Sequence, residues 1–125
     1  WGSEKPSMKL VNFQKNWEGL KTLWPVFGKN KSTSPYGIKG MAGNVREWVK
    51  DWYSPDYYKN GPLSNPQGPG IGILKVIKGG SWDDGVYYLS PGTRRFLNED
   101  ESASTIGFRC AMDRIGSPSG MDVWK

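Results

Sequence analysis

The stretch Val76-Ile77-Lys78-Gly79-Gly80-Ser81-Trp82, answered by Thr105-Ile106-Gly107-Phe108-Arg109-Cys110-Ala111-Met112, decides the reading of this chain. Val76-Ile77-Lys78 is an apolar run broken by two glycines, the pattern of a strand entering a tight corner. Glycine serves where a side chain would collide or where φ is positive. Trp82 then adds a large apolar anchor whose indole N–H needs an acceptor. The second stretch reads as another core strand, with Phe108 inside. Between them, Asp83 to Ser104 reads as a long polar loop carrying arginines. Such a loop held by two strands is a common way to present a binding or reactive surface.

The length of 125 residues allows one ordinary domain with one core. Seventeen Gly and nine Pro argue for turns over long helices, and the seven Trp make the apolar content aromatic. No run approaches the ~18 apolar residues of a membrane span. The charge is uneven: residues 1–50 carry nine Lys/Arg against three acids, and 51–125 carry eight against nine. The lysines are scattered singly and no RNA- or DNA-binding motif accompanies them, so a solvated face is expected and nucleic acid is not. Histidine is absent, which removes the commonest general base and zinc ligand from this chain. The single cysteine, Cys110, cannot close an internal disulfide. Its neighbours Phe108, Ala111 and Met112 favour a buried free thiol over a link to another chain.

Going outward, Leu23-Trp24-Pro25-Val26-Phe27 has the composition of a short edge strand. In Tyr36–Trp52, Val45, Trp48, Val49 and Trp52 fall at helical spacing among strand-forming residues, leaving helix and strand both open. Ser54 to Gly72, rich in Pro, Gly, Asn and Tyr, is expected to be a surface loop. Trp48, Trp52, Trp82 and Phe108 are the expected core aromatics.

Four signatures in one order, Tyr36-Gly37…Met41-Ala42-Gly43-Asn44-Val45-Arg46-Glu47-Trp48, Asn65-Pro66-Gln67-Gly68-Pro69, Gly79-Gly80-Ser81-Trp82 and Gly107-Phe108-Arg109, resemble the formylglycine-generating enzyme (sulfatase-modifying factor) family. The resemblance implies an α/β (α+β), C-type-lectin-like fold with little regular secondary structure. Trp1-Gly2 looks like the family's mid-domain Trp-Gly, so residues 1–113 are expected to be the C-terminal portion of the fold, with the N-terminal half elsewhere and 114–125 a tail. Family enzymes hold Cu(I) between two thiolates, a soft pair suited to that ion. Those positions fall on Asp84 and Leu89, so no copper and no enzyme activity are expected. Relatives that hold iron through histidines are not matched by a chain without histidine. An oxidase subunit whose catalytic ligands lie on another chain is the alternative.

The resemblance also implies calcium sites, which need six or more hard oxygen ligands. One would use the carbonyls of Gly43 and Val45 and the carboxylate of Glu47, with Gly40 standing where the family has an Asn or Asp side chain. A weaker one would use Asn12, the carbonyls of Phe13 and Leu20, and Glu18. The plainer role for Glu47 is a salt bridge.

The last third, Tyr88 to Leu97 and Ala103 to Pro118, is similar to gliding-motility lipoproteins that accompany type IX secretion. That likeness implies an extracytoplasmic binding or scaffold module, in the periplasm or on the outer membrane, whose partner is a secretion or motility assembly or the absent half of the fold. A lectin-like domain displaying ligand-binding residues after Gly-Gly-Ser-Trp is a further alternative. The expected partner surface comprises Asp83, Asp84, Tyr87, Tyr88, Arg94 and Arg95, within loops Asp56–Gly72 and Asp83–Arg95. Against it, Tyr87, Tyr88 and Leu89 are equally suited to core packing, which is favoured. Arg94, Arg95 and Arg109 are expected to pair with the local acids Asp83, Asp84, Glu99, Asp100 and Glu101.

Overall fold

The computed structural model describes residues 3–14, 23–25 and 33–112. Four strands form one sheet in the order β3-β2-β1-β4. They are β1 (Arg46–Trp52), β2 (Leu74–Lys78), β3 (Arg95–Asn98) and β4 (Ile106–Gly107). β1 and β3 flank β2 antiparallel, while β4 runs parallel to β1. A single helical turn, α1 (Tyr57–Asn60), and a 3-10 turn at Val86–Leu89 complete the regular structure.

β2 forms where expected, from β-branched residues suited to a pleated surface, and Val76 and Ile77 are both buried. β1 resolves the helix-or-strand ambiguity in favour of strand. Trp48 pairs with Ile77 and Trp52 with Lys75, so four steps along β1 match two along β2. That bulge breaks the two-residue alternation and leaves an apolar spacing that imitates a helix. β3 lies inside the stretch expected to be loop; its Phe96-Leu97 pairs with Val76-Lys75.

The second expected core strand is corrected most. β4 has two residues, and beyond it Phe108 and Met112 are 77% and 87% exposed. Cys110 is an exposed free thiol rather than a buried one. β4 pairs with β1 on one side and with no other strand of the described residues. Trp48, Trp52 and Trp82 are half-buried rather than core. Trp82 does find its acceptor, the Ser104 carbonyl at 3.4 Å. Leu23–Pro25 form no strand; Val26, Phe27, Glu18, Leu20 and the expected tail lie outside the described residues.

Val11, Phe13 and Leu89 form a small core cluster with Ala42 packed against it. The corner after β2 ties this cluster to the sheet. The Gly43 N–H donates to the Gly79 carbonyl at 2.7 Å, the Trp82 N–H to the Asn44 carbonyl and the Asn44 N–H to the Asn12 carbonyl. Asn44, at φ 65°, clips Trp24 like a strand partner. Its Oδ1 accepts from the Trp24 N–H at 2.8 Å and its Nδ2 donates back to the Trp24 carbonyl at 3.2 Å. Asn is a residue that tolerates the left-handed region.

Gly80 is the point where β2 must turn over the 3-10 turn. Its φ is +68°, and a Cβ there would stand 2.9 Å from Leu89 Cδ2 and 3.0 Å from the Tyr88 carbonyl oxygen. Gly80→Ala is therefore expected to lower stability by about 1–3 kcal/mol through backbone strain and contact. Urea denaturation should show a lower midpoint at unchanged slope.

Candidate functional site

Two features meet at the Gly79-Gly80 corner: a buried ion cluster and an open groove. Asp84 is the centre of the first, only 6% exposed. Arg46, at the start of β1, grips it with both arms of its fork: Nε donates to Oδ2 at 2.8 Å and Nη2 to Oδ1 at 2.5 Å. Arg95, at the start of β3, donates from Nη1 to Oδ1 at 3.0 Å. Ser81 adds its backbone N–H and its hydroxyl to Oδ2, at 2.9 and 2.8 Å. Burial alone would push the Asp84 carboxyl up. The hydrogen bonds from Arg46 and Ser81, with the charges of Arg46 and Arg95, outweigh it and hold the group below its usual value. Asp84 is thus removed from the expected partner surface, because its charge is consumed inside the fold.

Arg94 and Arg95 are likewise structural. The Arg94 guanidinium lies 4.2 Å from the Tyr58 ring centroid and 5.3 Å from that of Tyr53, and Nη1 donates to the Ser54 carbonyl. It staples the start of the 54–72 loop to the sheet through cation–π contacts. Arg109 passes over the local acids and grips Glu47, 62 residues away, at 2.6 Å on each oxygen.

The groove encloses 1290 Å³. Ala42, Trp48, Val49 and Leu89 line it, with Val86 and Tyr87 from the 3-10 turn and Ala111 from the segment after β4. Leu89 is 5% exposed and anchors the turn, whereas Val86 and Tyr87 are 49% and 72% exposed. The favoured expectation that Tyr87, Tyr88 and Leu89 all pack inward is corrected: the turn sends Leu89 in and the tyrosines out. Tyr87 and Tyr88 meet edge to face, with centroids 5.3 Å apart. The Thr93 hydroxyl donates to the Tyr87 carbonyl, and Lys78 Nζ to the Pro91 carbonyl at 2.6 Å. Burial, then the charge of Arg94, lower Lys78 from the usual lysine value, partly offset by Asp51.

In the first implied metal set the single carboxylate is already engaged. Glu47 gives both oxygens to Arg109. Asn12 Nδ2 donates to Asn44 Oδ1, and the rest of that second set reaches residues outside the described ones. Among the described residues no three His, Cys, Asp or Glu side chains cluster to hold a metal ion. At the implied thiolate positions stand a carboxylate neutralised by two guanidiniums and a buried leucine, and neither is a soft ligand. Sequence reasoning gave no role to Arg46, Ser81 or Lys78. Arg46 lies 38 residues from Asp84, so only its place beside the Asn44-Val45 corner hinted at a function.

The fold and this corner define a C-type-lectin-like domain built around a Gly-Gly-Ser turn. The chain matches the sulfatase-modifying factor enzyme 1-like domain over residues 3–114, and it belongs to that family. It is 39% identical over 99 residues to the formylglycine-generating enzyme of Streptomyces coelicolor, covering 77% of this chain and 31% of that enzyme. Among solved structures, Treponema denticola variable protein 1 superposes with a TM-score of 0.55 at 32% identity, covering 62% of this chain and 29% of that one. PvdO from Pseudomonas aeruginosa superposes with a TM-score of 0.56 at 23% identity, over 86% of this chain and 40% of its own.

This comparison corrects the expectation that the chain is not an enzyme. A relative sharing more than a third of the aligned residues is named an enzyme. Asp84 and Leu89 report on two positions in a chain spanning less than a third of its length, which is too narrow a basis for that exclusion.

The Asp84 cluster gives a sign-definite pH dependence. In the unfolded chain the carboxyl titrates near the ordinary aspartate value of about 3.9, and in the folded one lower. Its stabilisation is complete above that ordinary value and is lost as pH falls through the folded value. Asp84→Asn is expected to cost about 3–5 kcal/mol at neutral pH, since it strands buried guanidinium charge. It should also flatten the acid limb of stability below about pH 4, read by urea denaturation across pH.

Proposed function

We propose that this domain is a recognition module that binds an extended polypeptide segment in the groove, with Tyr87 as the contact edge and Tyr88 beside it. The observation that carries the reading is the 3-10 turn at Val86–Leu89. It exposes two aromatic rings while Leu89 below and the Asp84 cluster beside it hold the backbone still. Rigid tyrosines lose little conformational freedom on binding, so they make efficient contacts. The likeness to Treponema denticola variable protein 1, at 32% identity, supports a surface whose residues are free to vary. The setting we propose is extracytoplasmic, in service of a motility or secretion assembly. It rests on the likeness of residues 88–97 and 103–118 to gliding-motility lipoproteins. No helix of the described residues is long and apolar enough to cross a membrane.

A second reading draws on the enzyme relative, of which this chain spans 31%. Here the chain supplies the substrate-facing part of an oxidising enzyme, and soft or imidazole ligands come from other polypeptide. Phe108, Cys110 and Met112 are all exposed in the segment after β4, which gives such polypeptide an apolar surface to cover.

Peptides selected on the immobilised chain from a random display library test the first reading. Tyr87→Ser should weaken the selected peptides about tenfold or more, the loss expected of an interface anchor, at unchanged Tm. Peptides that bind the variant equally well would defeat it. Native mass spectrometry of the protein from its own cells addresses the second. A copper- or iron-bearing companion that shields Cys110 from alkylation would favour it, and a metal-free species with reactive Cys110 would count against it.

A further inference from the structure

We infer that Arg109 is the resident cation of the Gly40–Glu47 corner, so that this corner keeps its shape without calcium. The guanidinium sits among four oxygens. Nε and Nη2 reach Glu47 Oε2 and Oε1 at 2.6 Å each, Nη2 also reaches the Gly40 carbonyl at 3.0 Å, and Nη1 the Lys39 carbonyl at 3.2 Å. A carboxylate and two backbone carbonyls are oxygen donors of the kind a hard divalent cation takes, though fewer than the six or more it needs. Here the charge is covalently attached to the segment following β4.

Three further features point the same way. Gly40 brings no side-chain oxygen to the corner and offers its carbonyl to Arg109 instead. The corner carries Lys39 and Arg109 against the single carboxylate of Glu47, so a divalent ion would enter a place already positive. The guanidinium's planar fork fits the carboxylate in a bidentate pair, a geometry an ammonium could not copy. Glu47 is 20% exposed and Arg109 35% exposed, so water screens the pair only in part. The function of the clamp is positional. It fastens the segment after Gly107 to the loop before β1, where β4 itself contributes only two residues of pairing.

Thermal melts of the full chain in chelator, in calcium and in magnesium test the inference. Wild type is expected to melt at the same temperature in all three. A calcium site held at a hundred times its Kd would raise Tm by about 10 °C or more, so a calcium-specific rise in wild type would overturn the assignment. Arg109→Ala should lower Tm by about 5 °C or more in chelator; an unchanged Tm would equally overturn it. The informative construction is Gly40→Asn combined with Arg109→Ala. Gly40 has φ +67°, a conformation Asn accepts, so the change adds a ligand oxygen without forcing the backbone. This double variant is expected to gain a calcium-dependent rise in Tm that Gly40→Asn alone lacks. A folded double variant indifferent to calcium would show that Arg109 does not occupy a cation's place.

Discussion

The Asp84 carboxylate, buried between two arginines and a serine, is the constraint on which the rest of the structure depends. It draws together the start of β1 through Arg46, the start of β3 through Arg95 and the corner after β2 through Ser81. Its backbone extends the connection, since the Gln14 N–H donates to the Asp84 carbonyl at 2.9 Å and brings the Val11–Phe13 strip alongside. Burying a carboxylate is costly, and pairing offsets that cost only when every lone pair is engaged. Five donors meet that condition here. The apolar contribution is modest: the buried hydrophobics of the described residues are Val11, Phe13, Val76, Ile77 and Leu89. A saturated polar hub therefore specifies geometry that so small a core would leave loose.

The same cluster explains how the corner holds exposed aromatic side chains in place. A loop that must present aromatic side chains to a partner normally loses order when they leave the core. Here the 3-10 turn gives up Tyr87 and Tyr88 to solvent and keeps a single apolar anchor, Leu89. The missing packing is supplied from below by the ion cluster and from the side by Thr93 and Lys78, which hold the Tyr87 and Pro91 carbonyls. Positions 84 and 89, where the family resemblance implies soft thiolates, are thus committed to shape.

Much of this was legible in the sequence, and the misreadings share physical causes. The Gly-Gly-Ser turn and β2 were plain because glycine pairs and β-branched runs act locally. β1 was ambiguous because its bulge against β2 disguises a strand as a helix. β3 was missed because four residues with exposed Arg95, Phe96 and Asn98 carry little alternation to detect. Asp84 was placed on the partner surface by its position after Gly-Gly-Ser-Trp; its pairing with Arg95 was among the expected local ion pairs, whereas Arg46, 38 residues away, lay beyond any local pattern. Phe108, Cys110 and Met112 have the alternation of a half-buried strand. Among the described residues no further strand pairs with β4, which ends after two residues, and the segment beyond it stays exposed, so a correct pattern gave a wrong burial.

The two arginine–carboxylate pairs act as one device. Arg46 and Glu47 are consecutive on β1, and successive strand residues face opposite sides of a sheet. Arg46 grips Asp84 on one face, and Glu47 is gripped by Arg109 on the other. The beginning of β1 is thereby held from both sides by partners 38 and 62 residues distant. A one-residue slip of β1 would exchange the faces. Slipped one way, Glu47 would take the place of Arg46 against Asp84; slipped the other way, Arg46 would take the place of Glu47 against Arg109, so either slip turns one attraction into a like-charge contact. Apolar packing punishes such a slip weakly in this sheet, because its tryptophans are only half-buried. The reversed order of charges, arginine then glutamate on β1 against aspartate and arginine on its partners, makes the wrong register repulsive as well as the right one attractive. The two ion pairs thus add to the buried Val76 and Ile77 of β2 in holding the register of β1, which lines the groove.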